Sequence, residues 1–128
     1  MAARAASRNR TRDHNGIVRL WNALLHSLDG LSAAFRYEDA FRAEVVLALV
    51  LIPLALHMPA SGAGKALMIG SVLLVLIVEL VNSAIEAVTD RISLEDHVLA
   101  KQAKDMGSAA VMLALLAVPA TWALVLVG

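Results

Sequence analysis

The residues best suited to chemistry form a polar line in an otherwise apolar stretch: Glu79, Asn82, Ser83, Glu86 and Asp90. At about 100° per residue in a helix, Glu86 and Asp90 fall within roughly 20° of Glu79, and the amide and hydroxyl side chains flank that line. An acidic residue at the centre of a membrane span costs about 2.5–3.5 kcal/mol on insertion scales, so the line indicates a functional site. The alternative is a buried polar network that only holds helices together.

Carboxylates at two depths suit phosphoryl transfer. That reaction needs oxygen ligands for magnesium, cations near the phosphates and a base for the attacking hydroxyl. Glu79 lies about 10 Å from Glu86 along the helix axis. The spacing therefore separates a deep base from a shallow metal ligand, where a nucleotide would arrive.

Two further segments can meet this polar face. In one, Lys104 can neutralise phosphate charge, and Asp105 and Ser108 share a helix face three residues apart. In the other, Glu38 and Arg42 are four residues apart, a spacing that is equally typical of a surface salt bridge at a helix start.

Apolar blocks predict the elements that position these residues. Of the 128 residues, 59% are hydrophobic and only 17% are charged, which exceeds ordinary globular usage and points to a bilayer. The predicted spans cover about 40–60, 65–88 and 107–127. The second and third reach the roughly 20 residues that a span requires, whereas the apolar block of the first, residues 45–60, is shorter and needs the preceding residues to extend its helix. The first contains Pro53 and Pro59, which neighbouring helices must accommodate. The expected fold is an all-α membrane protein with three transmembrane helices.

An amphipathic helix is predicted over residues 17–35, because apolar residues recur there at intervals of three and four. Trp21 would anchor it at the membrane surface, and packing against other helices is the alternative. Residues 1–15 are expected to be a disordered basic tail, and residues 16–128 a single membrane domain. Arginines without interleaved aromatic residues argue against a nucleic-acid-binding arm.

The distribution of basic residues predicts the topology. Seven of the 11 lysines and arginines lie in the first 42 residues, and Arg91, Lys101 and Lys104 lie in or near the second loop. By the positive-inside rule, the tail and this loop are cytoplasmic and the C-terminus faces the outside. The Gly62–Lys65 segment is not a phosphate loop, because Ala66 follows the lysine and no strand precedes the segment.

Two segments resemble signature motifs of the prokaryotic diacylglycerol kinases. Residues 79–91 are similar to the first motif and residues 103–110 to the second, and residues 38–44 show a weaker similarity. The resemblance extends from about Gly16 to the C-terminus. It implies a homotrimeric enzyme of the bacterial inner membrane with an N-terminal surface helix, three spans and a periplasmic C-terminus. This enzyme phosphorylates diacylglycerol with ATP and Mg²⁺.

Carried over position by position, the resemblance implies that Glu79 is the general base and that Glu38 and Glu86 hold Mg²⁺. Asn82, Asp90 and Arg42 are expected to support the site. The implied ATP contacts are Arg19, His26, Glu38, Glu86, Glu95, Asp96, His97, Lys104 and Asp105. The implied lipid contacts are Arg19, Glu79 and Ser108.

Two alternatives to a diacylglycerol kinase remain at this point. Relatives with the same signature phosphorylate undecaprenol, so the lipid is less certain than the reaction. A non-enzymatic membrane subunit whose glutamates bind protons is the alternative from another class. Such a subunit has no need of Lys104 and Asp105 beside the carboxylates, whereas a kinase needs cations there.

Overall fold

The computed structural model describes the backbone of residues 2–92 and 98–128, and the side chains of residues 15–91 and 98–128. Its described residues form four helices: α1 (Ala2–Tyr37), α2 (Asp39–His57), α3 (Gly62–Ile92) and α4 (Val98–Val127). The all-α class predicted from the sequence is confirmed. The chain divides into two units, one ending at Ala33 and the other beginning at Ala34.

The first unit contains most of α1. The helix begins at Ala2, so it includes residues predicted to be a disordered tail. Alanine and arginine are strong helix formers, and neither glycine nor proline occurs before Gly16. From Ile17 to Leu31 the large apolar side chains of this unit are exposed. A surface position for residues 17–35, and a domain boundary at residue 15, stay predictions.

The second unit begins with the junction between α1 and α2. Arg42 stabilises this junction by contacts with both helices. Its Nη1 donates hydrogen bonds to the backbone oxygens of Phe35 at 3.0 Å and Arg36 at 2.9 Å. Its Nη2 forms an ion pair with Asp39, which lies in the first turn of α2. The sequence suggested an Arg42 pair with Glu38, but Arg42 instead stabilises the end of α1.

The second unit is an antiparallel bundle with α3 at its centre, packed against both α2 and α4. The buried positions of α2 are seven residues apart, at Phe41, Ala48 and Ala55. Those of α4 are Gly107 and Ala114, again seven apart. Except for Phe41, these residues are small and let the helix backbones approach closely, as is typical of helices packed in membranes.

Three helices are long and apolar enough to cross a membrane: Asp39–His57, Gly62–Arg91 and Val98–Val127. This confirms the three candidate spans. The helices extend further than predicted, because α3 continues to Ile92 and α4 begins at Val98, within a segment expected to be a polar connection. Residues 89–92 and 98–105 contain neither glycine nor proline, so their sequence permits the helix that the structure shows there.

Candidate active site

The acidic residues of α3 become steadily more exposed towards its C-terminal end. Glu79 is buried, with 5% of its surface exposed. Glu86 is half-buried two turns later. The side chain of Asp90 is 63% exposed. Because the three residues share one helix face, this line leads from the interior of the bundle to its edge.

Glu44 of α2 meets Glu79 inside the bundle. Their carboxyl groups lie close together, and Glu86 and Glu38 are near enough for their charges to act on Glu79. The second oxygen of Glu44, Oε2, is buried and has no hydrogen-bond partner among the described residues. Several carboxylates therefore converge here, and a bound cation or a proton would relieve their repulsion.

Asn82 lies between the buried and the exposed carboxylates. Only 8% of its surface is exposed. Its Nδ2 donates to Glu86 Oε1 at 3.4 Å, while the described part of the chain offers its Oδ1 no hydrogen-bond partner. The Asn82 side chain therefore directs its Nδ2 donor at Glu86, while its Oδ1 acceptor has no partner among the described residues.

Two lysines near the start of α4 form ion pairs, one with α3 and one within α4. Lys104 forms an ion pair with Asp90 and so links α4 to α3. Lys101 Nζ lies 2.6 Å from Asp105 Oδ2, one turn along the same helix. Lys104 is thus the lysine beside the acidic line, whereas Asp105 is exposed and engaged with its own helix.

Glu38 is half-buried at the start of α2. It occupies the N-cap position, but its side chain makes no capping hydrogen bond. Arg42 is paired with Asp39 and hydrogen-bonded to α1. The Glu38 carboxylate is instead near enough to Glu79 for its charge to act on that residue.

The remaining predicted residues are placed as follows. Arg19 and His26 are exposed in the first unit, and Ser108 is exposed on α4. Glu95, Asp96 and His97 lie outside the described residues. No three acidic or histidine side chains within the described parts of the chain form a ready-made metal site.

The sequence was compared with those of known protein families. The sequence profile described as prokaryotic diacylglycerol kinase matches residues 25–126. The chain belongs to this family. It is therefore an enzyme, a lipid kinase, and the three apolar helices agree with a bacterial membrane protein.

Relatives in the family are similar over most of their length. A diacylglycerol kinase of Pseudomonas aeruginosa is 56% identical over 113 residues, which are 88% of this chain and 92% of the relative. One of Escherichia coli K12 is 46% identical over 111 residues, 87% of this chain and 91% of the relative. One of Helicobacter pylori strain 26695 is 45% identical over 101 residues, 79% of each chain.

Sequence reasoning missed two residues that the structure places in this kinase's acidic cluster. Glu44 is predicted only as the end of the weakly similar segment 38–44, although a carboxylate directly before the apolar residue Val45 is costly in a span and is a signal of function. Gly107 was read only as part of a motif. Its contact with Asn82, described below, depends on how α4 lies against α3, so no local pattern indicates it.

Proposed function

We propose that this kinase transfers the γ-phosphate of ATP to the hydroxyl group of diacylglycerol, which produces phosphatidic acid and ADP. The observation that carries the proposal is Glu79, a carboxylate buried in a membrane-length helix and followed by a line of acidic residues that ends at Lys104. The names of the relatives agree with this lipid.

Glu79 acts as the general base. It accepts the hydroxyl proton as the lipid oxygen attacks the γ-phosphorus, and the bond from that phosphorus to the bridging oxygen of ADP breaks. The depth of Glu79 suits a lipid hydroxyl, which reaches the site from the bilayer side. A cavity of about 150 Å³ beside Glu44, with otherwise apolar walls from α2, α3 and α4, supports this, since an acyl chain prefers such walls.

Glu38 and Glu86 supply the protein ligands of Mg²⁺. Magnesium in kinases commonly binds one or two carboxylates together with substrate phosphates, so a pair of glutamates fits, and a third protein ligand is not required. Both charges already act on the Glu79 region, which a divalent cation would compensate. When bound, Mg²⁺ neutralises phosphate charge during transfer.

Lys104 and Asp105 contact ATP at the exposed end of the acidic line. Asn82 and Asp90 shape the site between this end and the buried Glu79. Arg19, His26, Glu95, Asp96 and His97 contribute further nucleotide contacts, and Ser108 and Arg19 contact lipid. Arg42 supports Glu38 through its hold on the α1–α2 junction.

The deciding experiment is an ADP-coupled assay of the detergent-purified protein with diacylglycerol and undecaprenol in parallel. We expect Mg²⁺-dependent formation of phosphatidic acid, with diacylglycerol the better substrate by kcat/KM. Preference for undecaprenol would assign the polyprenol instead. Absence of any phosphorylated lipid would contradict the proposal.

The working enzyme is proposed to be a homotrimer. Only 6% of the residues in the apolar 18-residue stretch of α4 are buried within one chain, so lipid or other subunits must cover this helix. Subunit mixing tests whether chains share a site: Glu79→Gln and Lys104→Ala proteins, each impaired when assayed alone, should regain activity in mixed trimers. Failure after verified exchange would place both residues in one subunit's site, and an active monomer in light scattering would exclude the trimer.

The proposed topology has the N-terminus in the cytoplasm and the C-terminus in the periplasm. Because the chain has no cysteine, a single one can be introduced at Gly128 or Ala2 and labelled selectively. An impermeant thiol reagent should label the Gly128→Cys variant in intact spheroplasts and the Ala2→Cys variant only after lysis. The reverse pattern would invert the topology.

A further inference from the structure

Gly107 is buried on α4 where this helix crosses the acidic line of α3. A Cβ atom built on Gly107 would overlap Asn82 Oδ1 and would lie 3.2 Å from Asn82 Cγ and 3.8 Å from Asn82 Cβ. All three of these nearest contacts belong to Asn82. The missing side chain therefore leaves space for one particular amide group.

The position of that amide determines where its donor points. The oxygen lies against Gly107, so the nitrogen on the other side of the planar amide faces Glu86, 3.4 Å away. Asn82 is almost completely buried and cannot turn outwards to solvent. A methyl group at Gly107 would push the oxygen aside and rotate or shift the nitrogen away from Glu86.

We propose that Gly107 is a positioning residue: by lacking a side chain, it keeps the Asn82 amide directed at Glu86 and so orients that carboxylate for a divalent cation. This inference rests on the proposed function, which makes Glu86 a metal ligand. Groups that orient a metal ligand typically change metal affinity or activity about 10- to 100-fold when they are altered.

The chain offers two matched control glycines, both on α3. A Cβ at Gly64 would lie 2.7 Å from Val125 Cγ1, so the same substitution there creates a similar close contact, but with an apolar side chain far from the acidic line. A Cβ at Gly70 meets nothing within 4 Å. Gly64→Ala thus tests close helix packing, and Gly70→Ala tests the helical substitution itself.

The first experiment compares these alanine variants by Mn²⁺ binding and by kinase activity. Binding is measured by the electron paramagnetic resonance signal of Mn²⁺ with a non-hydrolysable ATP analogue. We expect Gly107→Ala to weaken Mn²⁺ binding about 10- to 100-fold and to raise the Mg²⁺ concentration needed for half-maximal activity by a similar factor. Gly70→Ala should match the wild type, and Gly64→Ala should lower thermal stability without weakening Mn²⁺ binding to the folded protein. Wild-type Mn²⁺ affinity in Gly107→Ala would overturn the proposal.

The second experiment repeats Gly107→Ala in a chain that lacks the amide, Asn82→Ala. If the glycine acts only through Asn82, the double variant should bind Mn²⁺ within about twofold of Asn82→Ala alone, since the effects of residues that act as one unit are not additive. A further loss beyond that factor would overturn the proposal. This comparison also decides the matter if Gly107→Ala alone does not fold, because removal of the amide restores room for the methyl group.

The two proposals fail in different ways. A wild-type protein that phosphorylates no lipid contradicts the proposed function, whereas the Mn²⁺ measurements still decide the role of Gly107. A wild-type protein that phosphorylates diacylglycerol, with Gly107→Ala unchanged in Mn²⁺ binding, contradicts the positioning role alone.

Discussion

The contact between α3 and α4 has two halves built on one stripe of α3. In the first, which we call the apolar half, the stripe carries Met68, Val72 and Val75. In the second, the polar half, it continues at the same three- and four-residue intervals with Glu79, Asn82 and Glu86. The same helix face therefore packs the bundle at one end and carries the acidic line at the other.

The two halves differ in how their buried polar atoms are satisfied. In the apolar half, Trp122 Nε1 of α4 donates to the Met68 backbone oxygen at 3.2 Å, and Ser71 Oγ donates to the same oxygen at 2.7 Å. In the polar half, the described residues leave Asn82 Oδ1 and, across on α2, Glu44 Oε2 without partners. Native proteins rarely bury such atoms unpaired. The apolar half thus packs the helices with its polar atoms paired, whereas the polar half carries the acidic residues that we propose act on the substrates.

The largest expected effect comes from Glu79→Gln in the polar half. The variant keeps the shape of the side chain but cannot accept the hydroxyl proton, so we expect the rate to fall by about 10²–10⁴. MgATP affinity, measured by titration with a fluorescent analogue, should remain near that of the wild type. Retention of most of the rate would refute the assignment of Glu79 as the base. It would also mean that the polar half is not distinguished from the apolar half by catalysis.

Lys104→Met should have the next largest effect. Loss of a charge-assisted contact of about 1.5–3 kcal/mol predicts a fall of roughly 10- to 100-fold in kcat/KM for ATP. The ion pair itself contributes little to stability, because the side chains of Lys104 and Asp90 are 43% and 63% exposed and solvent screens such pairs. Lys101→Met is the matched control, one turn earlier, and should stay within about twofold of wild type. Equal losses in both variants would indicate a general charge effect instead.

Trp122→Phe tests the apolar half and should change stability rather than rate. Phenylalanine keeps one aromatic ring but lacks the five-membered ring and its N–H. The lost hydrogen bond to the Met68 oxygen costs on average about 0.6 kcal/mol and at most about 1.7 kcal/mol between membrane helices, and the lost packing volume adds to this cost. Thermal unfolding in detergent measures this, and kcat of the folded protein should stay close to wild type. A rate loss larger than the stability loss would mean that the apolar half also shapes the site.

The smallest expected effect is that of Ser71→Ala. Its hydroxyl bonds back to its own helix, and the Met68 oxygen keeps Trp122 as a partner, so we expect a stability change within about 0.5 kcal/mol. As a buried polar residue two turns before Glu79, it is also the control for Glu79→Gln, and its kinase rate should be unchanged. A loss of tenfold or more in rate would contradict the division of α3 into two halves.

Features that repeat along a single helix could be predicted well. The apolar blocks around residues 45–60, 65–88 and 107–127 led to the three candidate spans, which α2, α3 and α4 confirm. Helix ends were less predictable, since residues 89–92 and 98–105 resemble a loop in their charged composition, although they contain neither glycine nor proline and lie in α3 and α4. The role of Arg42 was also missed, because a four-residue spacing from Glu38 gives no information about the backbone oxygens of α1.

The sequence by itself therefore determined the helical class, the apolar lengths and the alignment of Glu79, Glu86 and Asp90, because hydropathy and helical periodicity are local properties. Only the tertiary structure decided which partners meet that line. The approach of Glu44 to Glu79, of Gly107 to Asn82 and of Trp122 to Met68 joins residues on different helices. Such contacts depend on the rotation and relative register of packed helices, which are set by the fit of their side chains across the interface.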